Sequence, residues 1–234
     1  MMPATPKVTL EGSVAELPLA LADLHRSLEV GRPLRIDIVA RDVDSAAPAA
    51  RMLIHGGGFV ATRTRALYRR AHTLPDYIGP GMHILLVGLN PSPYSADVGV
   101  GFARPGNRFW PAMLAAGLVD HARDPRAALV EHHIGMTDLV KRATARAAEL
   151  DADEFRCGHE RVTSLVRWLR PTVVCFVGLG GWRAAADPRA VAGVQAQSIG
   201  STTVYVMPNP SGLNAHATVD SLADHFRAVK NLVH

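Results

Sequence analysis

Two asparagine-containing turns are the features of this sequence that are best suited to chemistry. Asn90 lies in the segment Gly88-Leu89-Asn90-Pro91-Ser92, and Asn209 lies in Pro208-Asn209-Pro210-Ser211-Gly212-Leu213. A side-chain amide donates and accepts hydrogen bonds, so it can hold a polar ring or orient a water molecule. Asn-Pro is also a common turn signal, so each asparagine taken alone has a purely structural interpretation.

Each turn directly follows an apolar run that predicts a buried strand. The runs cover residues 83–87 and 203–207, and a third run at 172–177 precedes Gly178. Because the carboxyl ends of parallel strands share one edge of an open sheet, residues far apart in sequence can line one cleft there. Helical patterns alternate with these runs. The sequence therefore predicts an α/β fold, a three-layer α/β/α sandwich with a mainly parallel central sheet and an N-terminal extension.

An aromatic residue flanked by glycines lies between the two turns. Phe102 follows Gly99 and Gly101, which permit close approach of the backbone to a ligand. Its ring offers a face on which a flat, polar ring can stack, and a core position is the structural alternative. No Gly-x-x-x-x-Gly-Lys-Ser/Thr and no Gly-x-Ser-x-Gly occurs, which excludes a P-loop and a nucleophile elbow.

Composition limits the class of protein further. The net charge of +4 and the pI near 9.4 suit a polyanionic partner. No apolar run is long enough to cross a bilayer and no secretory signal region is evident, so we expect a cytoplasmic protein without a membrane partner. The two cysteines, Cys157 and Cys175, lack zinc-type spacing and are expected to be buried core thiols. We expect no metal and no cofactor.

The first seventy or so residues differ from the rest. Helical spacing from Val14 to Leu28 predicts a helix that ends near Gly31, and residues 35–39 predict a strand. Residues 42–50 are loop-like, and the glycine run at 55–58 is expected to be flexible. The cluster Arg63, Arg65, Arg69 and Arg70 is either a contact for the phosphates of a polyanionic partner or a solvated helix face.

The asparagine turns and the segment between them resemble the motifs of the mismatch-specific uracil/thymine DNA glycosylases, a family of the uracil-DNA glycosylase superfamily. The first motif is Gly88-Leu89-Asn90-Pro91-Ser92 with the later run Phe102-Ala103-Arg104-Pro105-Gly106-Asn107-Arg108-Phe109-Trp110. The second is Pro208-Asn209-Pro210-Ser211-Gly212-Leu213, and Gly135-Met136-Thr137-Asp138-Leu139-Val140 resembles the connecting segment. The resemblance implies a catalytic domain at 73–234, which leaves 1–72 as an extension of unknown role.

The resemblance also implies a function. A monomer would flip uracil, or a related pyrimidine, out of double-stranded DNA that contains uracil or a mismatch, and water would then hydrolyse the N-glycosidic bond. Asn90 matches the residue that positions the water, and Asn209 matches the residue that hydrogen-bonds the base carbonyl. The other residues carried over bind the base (Gly88, Leu89, Phe102 and Ser211) or form the DNA wedge and opposite-base contact (Gly212, Leu213 and Asn214).

Asp97 departs from the family pattern, in which the corresponding position is small and uncharged. A carboxylate on this loop could act as a general base toward the water or stabilise the developing sugar cation. We therefore hypothesise that Asp97 supplements or replaces Asn90 in catalysis. An ordinary surface aspartate is the alternative.

Two other functions stay open at this point. A hydrolase of free nucleosides or nucleotides would share the ring pocket, but it would have no use for Leu213 as a wedge. A catalytically silent module that binds damaged DNA would use the same residues and leave no abasic site. For the DNA glycosylase, we expect action in the cytoplasm, at the nucleoid.

Overall fold

The computed structural model describes residues 5–13, 16–40 and 46–233. The strands are β1 (Lys7–Gly12), β2 (Pro33–Ala40), β3 (Phe59–Ala61), β4 (Leu67–Arg70), β5 (Ile84–Gly88), β6 (Ile134–Asp138), β7 (Val173–Val177), β8 (Gly193–Val194) and β9 (Thr203–Met207). The helices are α1 (Leu17–Ser27), α2 (Ala46–Gly56), α3 (Pro93–Val98), α4 (Phe109–Ala115), α5 (Pro125–His132), α6 (Ala152–Leu169), α7 (Leu179–Ala185) and α8 (Val219–Asn231), with a 3-10 turn at Ala147–Glu149.

The larger sheet has the order β6-β5-β7-β9-β8. Neighbouring strands among the first four are parallel, and only β8 runs antiparallel to its neighbour. Side chains of β7 alternate between two cores, with Val174 and Phe176 packed toward α6 and α7, and Cys175 packed toward α4 and α8. Helices therefore cover both faces of a mainly parallel sheet, and the predicted α/β fold class is confirmed.

The parallel register decides where the functional turns meet. Gly88 at the end of β5 pairs with Asp138 at the end of β6, and Val177 pairs with Met207 at the end of β9. All these strand ends lie at one edge of the sheet, since the strands run in the same direction. The segments that follow them are therefore close together in space.

Residues before the first motif form a second sheet with the order β1-β2-β4-β3. Helices α1 and α2 pack between this sheet and the larger domain, and Leu21 and Leu53 belong to the same hydrophobic core as Val162. Strands β1, β3 and β4 were not predicted from the sequence. The extents of the two proposed domains stay a prediction.

Several expectations for this region were wrong. Residues 46–56 form helix α2 where a loop and a flexible glycine run were expected, because Leu53 and Ile54 supply a buried apolar stripe. Helix α1 ends at Ser27 rather than near Gly31. Val14 and residues 42–45, which entered those expectations, lie outside the described residues.

Two further expectations are corrected by burial and secondary structure. Cys175 is buried, but Cys157 is exposed on the outer side of α6. The arginine cluster lies on β4 and the turn before it, so it is not a helix face; Arg69 is exposed, and Arg70 donates to the His25 carbonyl. Across the described ranges, no helix has the length and hydrophobicity that a bilayer crossing requires.

Candidate active site

A cavity of about 170 Å³ opens at the edge where β5, β6 and β9 end. Both asparagine turns reach it, although they are far apart in sequence. The structure thus brings five of the ten predicted site residues to the lining of one cavity: Leu89, Asn90, Phe102, Asn209 and Ser211. The lining side chains that matter for the chemistry are Leu89, Asn90, Phe102, Asp138, Asn209 and Ser211.

The side chain of Asn90 is held in one orientation. Its Nδ2 donates to the Arg142 carbonyl at 3.0 Å and to Thr144 Oγ1 at 2.8 Å. Thr144 uses its own proton on the Arg146 carbonyl, at 2.9 Å, so it can only accept from Asn90. No donor in the described part of the chain reaches Asn90 Oδ1. The free polar atom of Asn90 is therefore a hydrogen-bond acceptor, which suits a water molecule.

The side chain of Asn209 is held by its oxygen, whereas that of Asn90 is held by its nitrogen. The Oδ1 of Asn209 accepts the backbone N–H of Ser211 at 2.9 Å. Among the described residues, none accepts a hydrogen bond from its Nδ2. Asn209 therefore presents a donor at the cavity, and a donor is the group that a base carbonyl requires. The turn-forming hydrogen bond is compatible with the predicted binding role, because the two would use different atoms of the amide.

Phe102 is positioned before any ligand arrives. Its ring stacks on Phe109, with centroids 3.9 Å apart and planes at 9°. Phe109 is fully buried, so it supports one face of Phe102 while the other side borders the cavity. The backbone of Phe102 is left-handed, with φ +57°, which costs about 1 kcal/mol or more for a residue with a Cβ. Backbone strain of this kind persists where the surrounding structure holds the residue in place, and it is common at functional sites.

Asp138 lines the cavity, although no pattern in the sequence marked it as a site residue. The residue is 8% exposed, and burial raises the pKa of its carboxyl to about 6 against 3.8. Asp76 also raises this pKa, whereas Lys141 and Arg161 lower it. Within the described ranges, no hydrogen-bond donor reaches the carboxylate oxygens. The sequence feature that could have identified Asp138 is a charged residue at the end of a buried strand, at the edge of the sheet where ligands bind.

Gly88 explains how Asp138 reaches the floor of the cavity. A Cβ on Gly88 would lie 2.6 Å from Asp138 Oδ1 and 3.2 Å from Phe102 Cζ. Only glycine leaves room for both groups at this point. The carboxylate therefore lies beside the tip of the stacking ring, level with the strand end and deeper than Asn90.

Asp97 lies away from this arrangement. It belongs to α3, its side chain is 69% exposed, and its Oδ1 is 2.7 Å from His72 Nε2. It is not among the residues that line the cavity. The carboxylate that lines the cavity together with the two asparagines is Asp138. A catalytic role for Asp97 stays a prediction.

The loop that carries Leu213 is anchored on both sides. The Nη1 of Arg108 donates to the Ser211 and Asn214 carbonyls at 3.2 and 3.0 Å. A Cβ on Gly212 would lie 2.8 Å from the Gly106 carbonyl oxygen, so glycine is needed for this contact. Leu213 is nevertheless 90% exposed. A well-held loop thus presents one apolar side chain to the outside.

Asn214 differs from its expected role in one respect. Its Nδ2 donates to the Asn209 carbonyl at 3.0 Å, and its Oδ1 accepts the backbone N–H of His216 at 3.3 Å. Both ends of the amide are thus engaged within the loop. A contact with an opposite base would first require the side chain to leave these partners.

The ligand edge of this parallel α/β sheet combines an aromatic ring with two oppositely oriented amides, which are groups suited to a flat heterocycle. Residues 75–232 match the uracil DNA glycosylase superfamily. The chain belongs to this superfamily, and membership supports a DNA glycosylase that hydrolyses N-glycosidic bonds. A solution NMR structure of a provisionally assigned uracil DNA glycosylase from Methanosarcina acetivorans is also similar, with 21% identity, 69% of this chain and 98% of that chain covered, and a TM-score of 0.49.

Proposed function

We propose that this protein is a monofunctional DNA glycosylase of the mismatch-specific type, which removes uracil from double-stranded DNA and leaves an abasic site. It would act as a monomer in the cytoplasm. One observation carries the proposal: a free acceptor on Asn90 and a free donor on Asn209 border the same cavity as the open side of Phe102. These are the groups that an extruded pyrimidine and a hydrolytic water need.

The proposed reaction uses the free acceptor of Asn90 and the free donor of Asn209. The flipped base stacks on Phe102, and Asn209 Nδ2 donates to a base carbonyl, where negative charge develops as the bond to the sugar breaks. Asn90 Oδ1 holds the water on the sugar side. An amide orients water without taking its proton, so the arrangement suits a reaction in which base departure is well advanced before water adds. The described lining of the cavity contains no lysine, and water is the proposed nucleophile.

Asp138 adds a means of selecting the base. Its ionised carboxylate accepts hydrogen bonds only, and the N3–H of uracil is a donor on the inner edge of the ring. Cytosine carries a lone pair at N3, which the carboxylate repels. A site built around a hydrogen bond rejects an analogue that lacks the donor, because the buried polar group then stays unpaired. We propose that Asp138 favours uracil over cytosine for this reason.

The proposed function is tested with duplexes that carry uracil, thymine or ethenocytosine opposite guanine or adenine. We expect alkali-labile abasic sites to form from uracil in the duplex, and free deoxyuridine to stay intact. Cleavage of deoxyuridine would instead identify a nucleoside hydrolase. Binding of the duplex without abasic sites would identify the silent module. Absence of duplex binding, of excision and of deoxyuridine cleavage would reject all three functions.

Replacing Leu213 by alanine should slow excision from a duplex by about tenfold or more, since unstacking a base costs a few kcal/mol that the wedge offsets. Excision from a single strand should change much less. Val191→Ala is the matched control, because Val191 is also an exposed apolar side chain and lies outside the cavity lining. Equal losses on duplex and single-stranded substrates would show that Leu213 is not a wedge.

Replacing Asp97 by alanine should leave single-turnover excision within about threefold of the wild type, since exposed ion pairs contribute little. The change removes an exposed contact with His72 and nothing at the cavity. A rate loss comparable to that of Asn90→Ala would restore the hypothesis that Asp97 is catalytic.

A further inference from the structure

A cluster of buried charges lies directly behind the cavity floor. Its members are Asp76, Lys141 and Arg161, with the hydroxyl of Thr137. Asp76 Oδ1 accepts from Lys141 Nζ at 2.8 Å and from Thr137 Oγ1 at 2.6 Å, and its Oδ2 accepts from Arg161 Nη1 at 2.7 Å. All four side chains are buried. We call this group the buried charge cluster.

The cluster holds the last two residues of β6. Arg161 Nη2 donates to Thr137 Oγ1 at 2.9 Å and also to the Asp138 carbonyl oxygen. The backbone of Asp138 is therefore clamped from behind by a planar guanidinium, whose fork fixes direction as well as distance. The carboxylate of Asp138, by contrast, has no donor in the described part of the chain and borders the cavity. The clamp fixes the backbone and leaves the carboxylate available.

The same cluster contacts the N-terminal extension. The backbone N–H of Asp76 donates to the carbonyl of Gly56, the last residue of α2, at 2.9 Å. A Cβ on Gly56 would overlap the Asp76 carboxylate and lie 3.3 Å from Arg161 Nη1. Thr73 Oγ1 donates to the Lys141 carbonyl oxygen. The end of α2 thus packs against the charges that support Asp138.

Stability alone is a poor explanation for such a cluster. Burying ions costs desolvation energy, and well-packed apolar residues often stabilise a fold as well or better. Arg161 also keeps its Nε buried with no hydrogen-bond partner among the described residues, which is a further cost. Retaining three buried charges is easier to explain if their fixed directions serve the site in front of them.

We propose that Asp76 and Arg161 are positioning residues for Asp138, and that helix α2 of the extension supports them through Gly56. The proposal rests on the proposed function in assigning Asp138 to the base-binding cavity. It gives the extension a role in substrate recognition, exerted through the floor of the cavity.

The two positioning residues act on Asp138 with opposite charge. The groups whose charges act on its carboxylate are Asp76, which raises its pKa, and Lys141 and Arg161, which lower it. In Asp76→Asn, two buried cations stay without their anion, so the pKa of Asp138 should fall. In Arg161→Gln, one attractive charge is lost, so the pKa should rise. Both variants should be less stable than the wild type, because each loses a buried partner.

The experiment measures the Asp138 carboxyl directly in the full chain without DNA. Protein labelled with ¹³C at aspartate Cγ is titrated by NMR, and the Asp138 signal is assigned by its loss in Asp138→Asn. We expect the midpoint to move down in Asp76→Asn and up in Arg161→Gln, each by about half a pH unit or more. Midpoints that stay in place, or that move in the same direction, would overturn the proposal. Asp153→Asn is the control, because it breaks an exposed pair with Arg156 on the same helix, and it should leave the midpoint unchanged.

Gly56→Ala provides a second route if the charge variants do not fold. The added methyl group should displace Asp76, shift the Asp138 signal and lower kcat/KM for a uracil duplex. Gly180→Ala is its control, since nothing lies within 4 Å of a Cβ at Gly180. An unshifted Asp138 signal in folded Gly56→Ala would remove the extension from the proposal. The NMR midpoints do not depend on excision, so the two proposals can fail separately. Midpoints that move in a protein without excision activity would reject the proposed function. Excision activity with midpoints that stay in place would reject the positioning role.

Discussion

Replacing Asn90 by alanine is expected to slow single-turnover uracil excision by about 100- to 1,000-fold, the usual loss when one preorganised hydrogen-bonding group leaves an active site. Affinity for the duplex should change little, because Asn90 contacts the water rather than the DNA backbone in the proposed reaction. The free Oδ1 of Asn90 is the acceptor that orients this water, and its Nδ2 is occupied by the Arg142 carbonyl and Thr144. The measurement compares excision rate and duplex affinity in the same preparation.

Thr144→Val separates orientation from chemistry. It removes one of the acceptors that hold the Asn90 amide, at 2.8 Å, but leaves the amide itself in place. We expect a loss of about fivefold, since a hydrogen bond that orients a group contributes on the order of 1 kcal/mol. An Asn90→Ala rate within tenfold of the wild type, or a loss wholly explained by weaker binding, would mean that another group positions the water.

Replacing Asp138 by asparagine is expected to stabilise the folded protein by about 3 kcal/mol at pH 7.5 and by very little near pH 4. The pKa of Asp138 is about 6 in the folded protein against 3.8 for an ordinary aspartate. Between these values the unfolded chain has lost the proton that the folded chain still binds. Stability of the wild type therefore falls as pH rises through this window, by about 1.4 kcal/mol per unit. The asparagine side chain does not titrate in this range, so the stability of the variant does not fall for this reason.

Urea unfolding of both proteins at several pH values between 4 and 7.5 tests this expectation, because the difference between the two curves isolates position 138 from all other titrating groups. A stability difference that is the same at both ends of the range would contradict it. The same change should weaken the preference for uracil over cytosine, since an amide can turn its donor toward a ring nitrogen. Duplexes that carry the 2′-fluoro analogues of the two nucleosides, which resist cleavage, measure that preference as binding.

Asn90 and Asp138 show that some residues of the site can be predicted from the sequence and others cannot. Asn90 was found because it follows an apolar strand within a short local motif, and the same holds for Asn209 at the end of β9. Asp138 also follows a strand, but no local pattern distinguishes a cavity carboxylate from a solvated one. Asp97 shows the converse, because its place in the first motif loop favoured a role, whereas α3 turns its side chain outward.

By itself the sequence determined the α/β fold class, the edge at which the ligand cavity forms, and the residues Asn90, Phe102, Asn209 and Leu213 as candidates. These follow from apolar periodicity and turn chemistry, which act over a few neighbouring residues. Only the tertiary structure decided which atom of each asparagine is free and that Asp138 lies buried beside Phe102. Likewise, only the tertiary structure showed that helix α2 packs behind Asp138, against Asp76 and Arg161. Hydrogen-bond polarity, burial and charge depend on partners that are distant in the chain, such as Thr144 for Asn90, and only the packed fold brings those partners together.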